Sequence, residues 1–342
     1  MNHPNWMGDL LVSRPNFGNL KINQVMLPGT HDSGTFRIGA PTQGDHTART
    51  QSLSFAEQLE LGVRYFDLRV KLGNSAYYPY HGPWTSDSDL CRKGDNPDDP
   101  NNKLQFKQMR DFLKQHPKEI IILKFQGFLD FTSDQDYYDF VELLKNYFTF
   151  PGCNLVTLAH GTAAKINQQT VNSLLAANKR VFLFFDKTNV PQQKKVWDFA
   201  FQYLPTLKKL NLGLWDPYWR EENANIADDN IDLTIRWWPF HQRNLTKWSH
   251  DGIFVLQSHM QQLPGKESDA YFNISEQAAA ANYYMNTDPK GNLIRNNARN
   301  IAKYIEWYNA GIWLNVVTFD FIQHGDVCDA IVNNYLNTVL LK

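Results

Sequence analysis

Two histidines in turn-forming segments are the residues of this chain whose types and surroundings could do chemistry. His31 lies in the segment Leu27-Pro-Gly-Thr-His-Asp-Ser-Gly34, and His81 lies in the segment Tyr78-Pro-Tyr-His-Gly-Pro83. Because an imidazole exchanges its proton near pH 7, either side chain could act as a general acid or a general base. A single histidine beside a turn is more often a hydrogen-bonded structural group, so the pair needs a second observation.

The second observation is a charged pair in an otherwise apolar segment. In Gly62-Val-Arg-Tyr-Phe-Asp-Leu-Arg69, the side chains of Asp67 and Arg69 are two residues apart and so share one face of a strand. A charged pair inside a barrel is costly unless it has partners or a task. A catalytic role is one interpretation, and a buried ion pair that only fixes the register of the sheet is the other.

The elements that must position these residues alternate along the chain. Short β-rich runs are followed by helical patterns, which favours βα units and a mainly parallel sheet. Eight such runs are present, the number that a closed parallel barrel requires. We therefore predict an α/β chain that folds as a single irregular (β/α)8 TIM-type barrel over residues 1–342, with its site at the carboxyl ends of the strands. The predicted strands are Leu20–Leu27, Val63–Val70, Glu119–Phe125, Leu155–Leu158, Arg180–Phe185, Leu210–Leu214, Gly252–Gln257 and Leu314–Asp320.

Helices are predicted between these strands from their apolar periodicity. The segment Leu104–Gln115 is typical of them, because its apolar side chains recur on one face and it ends before Pro117. The segment Trp84–Asn102 is rich in turn-forming residues and is predicted to be a loop that borders the site. The predicted helices are Leu104–Gln115, Ser133–Phe148, Thr162–Asn178 and Asp326–Leu341.

Composition and charge disfavour two classes of protein. The chain carries 34 Lys+Arg against 35 Asp+Glu, a formal net charge of -1, so we expect no nucleic-acid partner. No stretch approaches the roughly 20 consecutive apolar residues of a membrane-spanning helix, so we expect peripheral membrane contact only. The first residues lack the pattern of a signal peptide, which predicts a chain that is cytoplasmic or that is secreted with its signal already removed.

Taken together, the motifs resemble the X region of phosphatidylinositol-specific phospholipase C. They occur in that family's order and extend over nearly the whole chain. The opening Asn5-Trp-Met7 and the segment Asp320–Asp326 are most similar to the small proteins that consist of an X domain alone. The matching segments are Leu27–Gly34, Gln58–Arg69, His81-Gly82, Phe112–Leu123 and Asn315–Asp320.

The resemblance implies a reaction and a role in it for each of the two histidines and for the aspartates that support them. His31, oriented by Asp320, would take the proton from the inositol 2-hydroxyl, which would attack the phosphorus to form a cyclic inositol phosphate. His81, supported by Asp32, would protonate the departing diacylglycerol oxygen. Each well-placed proton transfer is worth about 10² to 10⁴ in rate. The implied substrate is an inositol phospholipid at a membrane surface, and the implied protein is a monomer.

The resemblance also implies that no metal or other cofactor is required. Arg69 stands where the calcium-dependent members of the family carry an acidic metal ligand, and a guanidinium can stabilise the charge that develops on the phosphoryl oxygens. Asp32 directly after His31 matches the metal-independent bacterial pattern. In this interpretation Asp67 holds Arg69 and His81 in position.

The chain departs from the bacterial pattern at positions that would contact the substrate. Gln126 stands where a substrate-binding lysine is implied, with Lys124 two residues earlier on the same face. Lys187 stands near the place of an implied arginine. The segment Trp215-Asp-Pro-Tyr218 could supply aromatic rings against inositol and, at Asp216, a carboxylate for its hydroxyls. Core aromatics under a loop are an equal alternative for that segment.

Two other functions stay open at the level of the sequence. One is a metal-dependent glycerophosphodiesterase or phospholipase D on the same barrel, which would need a carboxylate cluster around a divalent ion. The other is a catalytically weak binder of inositol lipids or phosphates. Gln126, which stands in place of an implied lysine, suggests this alternative. The run Trp237–Trp248 interleaves aromatic and basic residues, which suits a lipid interface but suits ordinary core packing slightly better.

Overall fold

A parallel sheet of eight strands is the framework of the chain. The computed structural model describes residues 1–38, 48–156, 168–185, 214–215, 253–258, 297–311, 314–324 and 326–338. Among them the sheet has the order β7-β8-β6-β2-β1-β11-β10-β9, and each neighbouring pair in this order is parallel. The strands are β1 Leu27–Thr30, β2 Tyr65–Gly73, β3 Ala76–His81, β4 Trp84–Thr85, β5 Cys91–Arg92, β6 Ile121–Leu129, β7 Asn154–Leu155, β8 Lys179–Phe185, β9 Leu214–Trp215, β10 Ile253–Ser258 and β11 Val316–Phe319.

The helices follow the predicted pattern only in part. The described part of the predicted helix Thr162–Asn178 is helical only at Val171–Ala176, and the helices Trp6–Ser13, Phe55–Leu61 and Asn297–Asn309 were not predicted. The predicted helix Leu104–Gln115 begins one residue later, and its apolar face is buried against β6, where the rings of Phe106 and Phe125 meet edge to face at 6.5 Å. No helix in the described ranges is both long and apolar enough to cross a membrane. The helices are α1 Trp6–Ser13, α2 Phe55–Leu61, α3 Gln105–Gln115, α4 Asp134–Phe148, α5 Val171–Ala176, α6 Asn297–Asn309 and α7 Val327–Asn337.

The first strand begins where the sequence predicted that it would end. Most of the predicted strand Leu20–Leu27 is irregular and contains the short 3-10 helix Ile22–Gln24. The side-chain amide of Asn315 donates hydrogen bonds to the carbonyl oxygens of Ile22 and Val25, at 2.9 and 2.6 Å. These carbonyls are therefore satisfied by a side chain instead of a neighbouring strand, and sheet pairing starts only at β1.

The fourth predicted strand does not lie between the third and the fifth. Of the predicted strand Leu155–Leu158 the structure describes only residues 155 and 156, and Leu155 belongs to the two-residue strand β7, which pairs with the outer side of β8. On its inner side β8 pairs directly with β6, with Ile121 opposite Val181 and Phe125 opposite Phe185. Among the described strands, β7 is therefore the outermost on this side of the sheet.

A buried ion pair fixes the amino ends of the central strands. Arg64 directly precedes β2, Glu119 precedes β6 by two residues, and their closest side-chain atoms are 2.8 Å apart with both side chains fully buried. The second carboxylate oxygen of Glu119 accepts a hydrogen bond from the backbone N–H of Gly8 in α1. The backbone carbonyl of Glu119 accepts another from the guanidinium of Arg180 in β8. This end of the sheet is thus held by charge, away from the strand ends that carry the predicted catalytic residues.

The ion pair yields a prediction about stability. The substitution Glu119→Gln keeps the shape of the side chain but leaves the Arg64 guanidinium buried without its counter-charge. We expect the free energy of unfolding to fall by about 3–5 kcal/mol, measured by urea denaturation at pH 7. As a control, Glu142→Gln removes one partner of the exposed pair with Lys145 and should cost less than about 1 kcal/mol. Equal losses in the two variants would contradict the assignment of Arg64 and Glu119 as a structural anchor.

Candidate active site

The predicted catalytic side chains converge at the carboxyl ends of the central strands. β1 lies between β11 and β2, and β2 pairs on its other side with β6, so four consecutive strands of the sheet deliver residues to one place. In parallel barrels this is the end at which the loops form the active site. The residues that meet there are His31 and Asp32 after β1, Asp67 and Arg69 in β2, His81 at the end of β3, Lys124 and Gln126 in β6, and Asp320 after β11.

A hairpin that follows β2 brings His81 back over the site. Asn74 and Ser75 have φ values of 47° and 65°, the pair of left-handed residues that a two-residue type I′ turn requires. β3 then runs antiparallel to β2, with Val70 opposite Pro79, and ends at His81. The sequence placed His81 in a turn-forming segment, but it did not predict that this residue ends a strand that leaves the parallel sheet as one arm of an antiparallel hairpin.

The carboxylate of Asp32 is the point at which two imidazoles and one guanidinium meet. Its Oδ2 atom lies 3.3 Å from Nε2 of His31 and 3.4 Å from Nε2 of His81. Its Oδ1 atom lies 3.0 Å from Nε of Arg69 and accepts a hydrogen bond from Nε2 of Gln126 at 3.3 Å. Asp32 is only 2% exposed, so these partners replace the water that would otherwise stabilise its charge.

His31 is held between two carboxylates. Its Nε2 atom faces Asp32, and its Nδ1 atom lies 2.9 Å from Oδ1 of Asp320. Burial alone lowers the pKa of His31, but the charges of Asp32 and Asp320, with a smaller contribution from Asp67, raise it to about 9. At neutral pH the imidazole of His31 is therefore protonated on both nitrogens and positively charged in the free protein. Burial also raises the pKa of Asp320, and the neighbouring imidazolium opposes that rise.

His81 has the opposite electrostatic character. Burial lowers the pKa of its imidazole below the ordinary value, and the guanidinium of Arg69 acts in the same direction, while Asp32 opposes them. His81 is therefore neutral at neutral pH. The side chains of His81 and Arg69 are 21% and 18% exposed, whereas that of Asp32 is 1% exposed. A ligand that enters the site can reach the imidazole and the guanidinium directly.

Asp67 has different partners from those that the sequence predicted. It was expected to hold Arg69 and His81, but its Oδ2 atom accepts a hydrogen bond from Nε2 of Gln126 at 2.8 Å, and its Oδ1 atom lies 3.6 Å from Nζ of Lys124. The register of β6 against β2 shifts by one residue directly before Arg69, and the extra residue of β6 at this point is Gln126. The side chain of Gln126 contacts Asp67, while the guanidinium of Arg69 pairs with Asp32.

Gln126 links two carboxylates that would otherwise repel each other. One amide nitrogen of Gln126 lies within hydrogen-bonding distance of both Asp32 and Asp67, and its Oε1 atom accepts a hydrogen bond from Nζ of Lys124 at 3.4 Å. Burial raises the pKa of Asp67, and the ammonium group of Lys124 lowers it. The sequence predicted Lys124 and Gln126 as substrate-binding residues; both are buried and contact the carboxylates of the site.

The backbone that carries the site is strained at two positions. Asp32 and Phe321 have φ values of 42° and 47°, in the left-handed region that non-glycine residues rarely adopt. Such residues persist only where the surroundings over-determine them, at a cost on the order of 1–3 kcal/mol each. Thr50 and Gln51, which are fully buried, hydrogen-bond to this backbone. Neither residue stands out in the sequence, because both are uncharged and belong to none of the predicted elements.

Three side chains of the site could also offer ligands to a metal ion. One atom each from His31, Asp32 and Asp67 can be chosen so that all three lie within 4.8 Å of one another. The same carboxylates are already in contact with the cationic side chains of Arg69 and Lys124. A divalent ion at this point would have to compete with two fixed positive charges, and its binding would also require loss of the proton from His31.

The remaining predicted substrate-binding residues lie largely outside the described residues. Lys187, Asp216 and Tyr218 belong to ranges that the structure does not describe, and of Trp215 only the backbone, in β9, is described. Their roles stay predictions from the resemblance. The aromatic and basic run Trp237–Trp248 also lies outside the described residues.

Comparison with solved structures defines the class of fold. The chain superimposes on phosphatidylinositol-specific phospholipase C from Listeria monocytogenes with a TM-score of 0.55 and 17% identity, covering 98% of this chain and 99% of that one. A variant of the same enzyme from Staphylococcus aureus gives a TM-score of 0.58 and 16% identity, with 97% of each chain covered. The predicted TIM-type α/β fold is therefore confirmed.

Comparison with curated sequences shows which protein family the chain resembles. Human PI-PLC X domain-containing protein 2 is 28% identical over 218 residues, which are 56% of this chain and 63% of that protein. The 1-phosphatidylinositol phosphodiesterase of Listeria monocytogenes is 30% identical over 155 residues, 42% of this chain and 39% of that protein. The chain thus spans less than two thirds of the length of either relative, and no family model matches it. It resembles the X-domain family of phosphatidylinositol-specific phospholipase C, as the motifs predicted.

The electrostatics of His31 predict how stability depends on pH. Its pKa is about 9 in the folded protein and near 6.5 when unfolded, so folding binds a proton. The stabilisation is complete below pH 6.5 and is lost as the pH rises through 9. We expect the free energy of unfolding to fall over this range by up to about 1.4 kcal/mol per pH unit, measured by urea denaturation. The fall should be smaller in His31→Gln and unchanged in His116→Gln, and a wild-type slope in His31→Gln would contradict the prediction.

Proposed function

We propose that this chain is a phosphodiesterase that cleaves phosphatidylinositol, or a related inositol phospholipid, to diacylglycerol and a cyclic inositol phosphate. One observation carries the proposal. The two carboxylate oxygens of Asp32 bring the imidazoles of His31 and His81 and the guanidinium of Arg69 within 3.0 to 3.4 Å of a single side chain. Two groups that transfer protons and one cation are what an internal attack on a phosphodiester needs. The names of the curated relatives support the same substrate class.

His31 would act as the general base. With a proton on Nδ1 donated to Asp320, the lone pair on Nε2 can accept the proton of the inositol 2-hydroxyl. The freed oxygen forms a bond to phosphorus while the bond from phosphorus to the diacylglycerol oxygen breaks. Because nucleophile and phosphorus belong to the same molecule, much of the entropy cost of bringing them together is removed. The hydrogen bond to Asp320 fixes the tautomer and the orientation of the His31 imidazole.

The proton that His81 must deliver is supplied by a redistribution within the site. In the free protein His31 is protonated and His81 is neutral, which is the reverse of the state that the reaction uses. A phosphodiester anion that approaches Arg69 and His81 favours the protonated form of His81. Asp32 lies next to Nε2 of both rings, so its carboxylate stabilises the positive charge whether the extra proton is on His31 or on His81. Substrate binding thereby prepares His81 to protonate the leaving oxygen.

Arg69 would stabilise the charge that develops on the phosphoryl oxygens. Its Nε atom is fixed on Asp32, which leaves the Nη groups for a ligand. A guanidinium binds phosphate oxygens in a bidentate manner, which a single ammonium group does not do. The substrate is embedded in a bilayer, so this function also requires peripheral contact with a membrane surface.

A metal-dependent phosphodiesterase is the second candidate, supported by the spacing of His31, Asp32 and Asp67. The positive charges of Arg69 and Lys124 on the same carboxylates favour the metal-independent reaction. The two functions differ in their response to a chelator and in their products. A metal-dependent phospholipase D would release phosphatidate and would be inactive in the presence of EDTA.

The first test identifies the product. Purified protein, incubated with phosphatidylinositol vesicles and EDTA, should release cyclic inositol phosphate, detected by phosphorus NMR. His31→Ala and His81→Ala should each lower the rate by at least about 10². His116→Ala is the matched control, because His116 lies between α3 and β6 at the opposite ends of the strands, and its rate should equal that of the wild type. Full activity in either site variant, or phosphatidate as product, would overturn the proposal.

The second test concerns the guanidinium of Arg69. Arg69→Ala should lower kcat by about 10² to 10³, and Arg69→Lys should recover only part of this loss because the fork geometry is missing. The control is Lys71→Ala, on the same strand but paired at 3.8 Å with the exposed Asp130, which should change kcat little. If Arg69→Ala and Lys71→Ala have the same kcat, the guanidinium does not take part in the reaction.

A further inference from the structure

We propose that the segment Ala48–Gln51 positions the site, and that its hydrogen bonds lock the loop after β1 to the loop after β11 so that His31 stays on Asp320. The role in turnover rests on the proposed function, but the effect on His31 does not. No atom of Ala48–Gln51 is needed as a proton donor or acceptor for the substrate. The segment acts through the backbone on either side of the two catalytic side chains.

Gln51 joins the two loops with one side-chain amide. Its Nε2 atom donates to the carbonyl oxygen of His31 at 3.0 Å and to that of Phe319 at 2.8 Å. Its Oε1 atom accepts from the backbone N–H of Ile322 at 3.4 Å. Phe319 also accepts the backbone hydrogen bond of His31 at 3.2 Å. The amide therefore closes the last contact between β1 and β11 and spans both sides of Asp320.

Thr50 makes a second connection between the same loops. Its hydroxyl donates to the carbonyl oxygen of His31 at 2.8 Å and lies 3.3 Å from that of Asp32. Its own carbonyl oxygen accepts from the backbone N–H of Phe321 at 2.7 Å. Thr35 completes the set, because its hydroxyl accepts from the backbone N–H of Thr50 at 3.0 Å. The carbonyl of His31 thus accepts hydrogen bonds from two successive side chains of the segment.

The segment also reaches the second imidazole. The backbone of Ala48 lies beside the ring of His81 and raises the pKa of that imidazole, which favours its protonated form. Ala48, Thr50 and Gln51 are all buried. One short stretch of chain is therefore in contact with the carriers of both proton-transferring groups.

The strained backbone explains why such a segment is required. Asp32 and Phe321, each directly next to a catalytic side chain, have left-handed φ values. The carbonyl of Asp32 and the N–H of Phe321 are both hydrogen-bonded by Thr50. Without these bonds each loop can relax to an ordinary conformation. Either relaxation turns a carboxylate away from the imidazole of His31.

The experiment follows the titration of His31 in the full chain without substrate. The charged groups that face this ring are Asp32 on its own segment, Asp67 from β2 and Asp320 after β11, with Arg69 and His81 across Asp32. In protein labelled with nitrogen-15 in its histidines, the ring signals of His31 are assigned by their loss in His31→Gln. Gln51→Met and Thr50→Val keep the side-chain volume but remove the hydrogen bonds that these side chains make to the backbone of the two loops, while the backbone bond from Phe321 to residue 50 stays. Each should lower the pKa of His31 by about one unit.

The matched control is a buried side-chain amide at the amino end of β11, the strand whose carboxyl end Gln51 contacts. Asn315 precedes β11 and donates to two backbone carbonyls, as Gln51 does, but far from the site. Asn315→Leu should lower the urea midpoint by as much as Gln51→Met while the titration of His31 stays that of the wild type. Thr50→Ser keeps the hydroxyl and should restore the wild-type titration, which makes the test independent of whether Gln51→Met folds.

Kinetics provide the second readout. On phosphatidylinositol vesicles, Gln51→Met and Thr50→Val should lower kcat about tenfold with little change in KM, because the alignment of the base is lost and the binding groups are kept. A wild-type titration of His31 in Thr50→Val, an equal shift in Asn315→Leu, or an unchanged kcat in a shifted variant would each overturn the inference. If the wild-type protein releases no product, the proposed function fails, while the titration still decides the positioning role.

Discussion

The buried charge of Asp32 is the constraint on which the rest of the site depends. A carboxylate removed from water must be compensated by other groups, and here they come from β2, β3 and β6 as well as from the residue that precedes Asp32. His31 and His81 approach one of its oxygens, and Arg69 and Gln126 approach the other. Each strand that delivers a partner is therefore fixed relative to the others by electrostatics as well as by the backbone ladder. The geometry that compensates the charge is also the geometry that a phosphodiester would meet.

The same compensation produces an asymmetry between the two imidazoles. His31 is enclosed by carboxylates and holds its proton, whereas His81 lies beside a guanidinium and releases its own. Two side chains of one chemical type thus acquire different proton affinities from burial and from the sign of their neighbours. A site with this asymmetry responds to an incoming anion, because the anion changes the field at the exposed ring more than at the buried one.

The sequence predicted the parallel sheet and most of the charged and imidazole side chains that meet at its carboxyl ends, because such residues next to apolar runs are visible in a linear pattern. It did not predict the partners of Asp67, which depend on a register shift between β2 and β6. It also missed Thr50 and Gln51, whose importance lies in which backbone atoms they reach and not in their residue types. The prediction gave no strand order, and the place of β7 beyond β8 in the described part of the sheet depends on strand pairing that no local pattern contains.

The hairpin of β2 and β3 divides the site into two parts of different construction. His31 and Asp320 extend from adjacent strands of the sheet, so their separation is tied to the geometry of the sheet itself. His81 instead stands at the tip of an antiparallel appendage, where it pairs with Trp84 across the turn at Gly82, a glycine with a φ of 56°. A change in the length of that appendage would displace His81 without altering the strand pairing that holds His31 and Asp320. In the proposed reaction, the group that protonates the leaving oxygen is thus carried by a separable hairpin, and the group that activates the nucleophile is carried by the sheet itself.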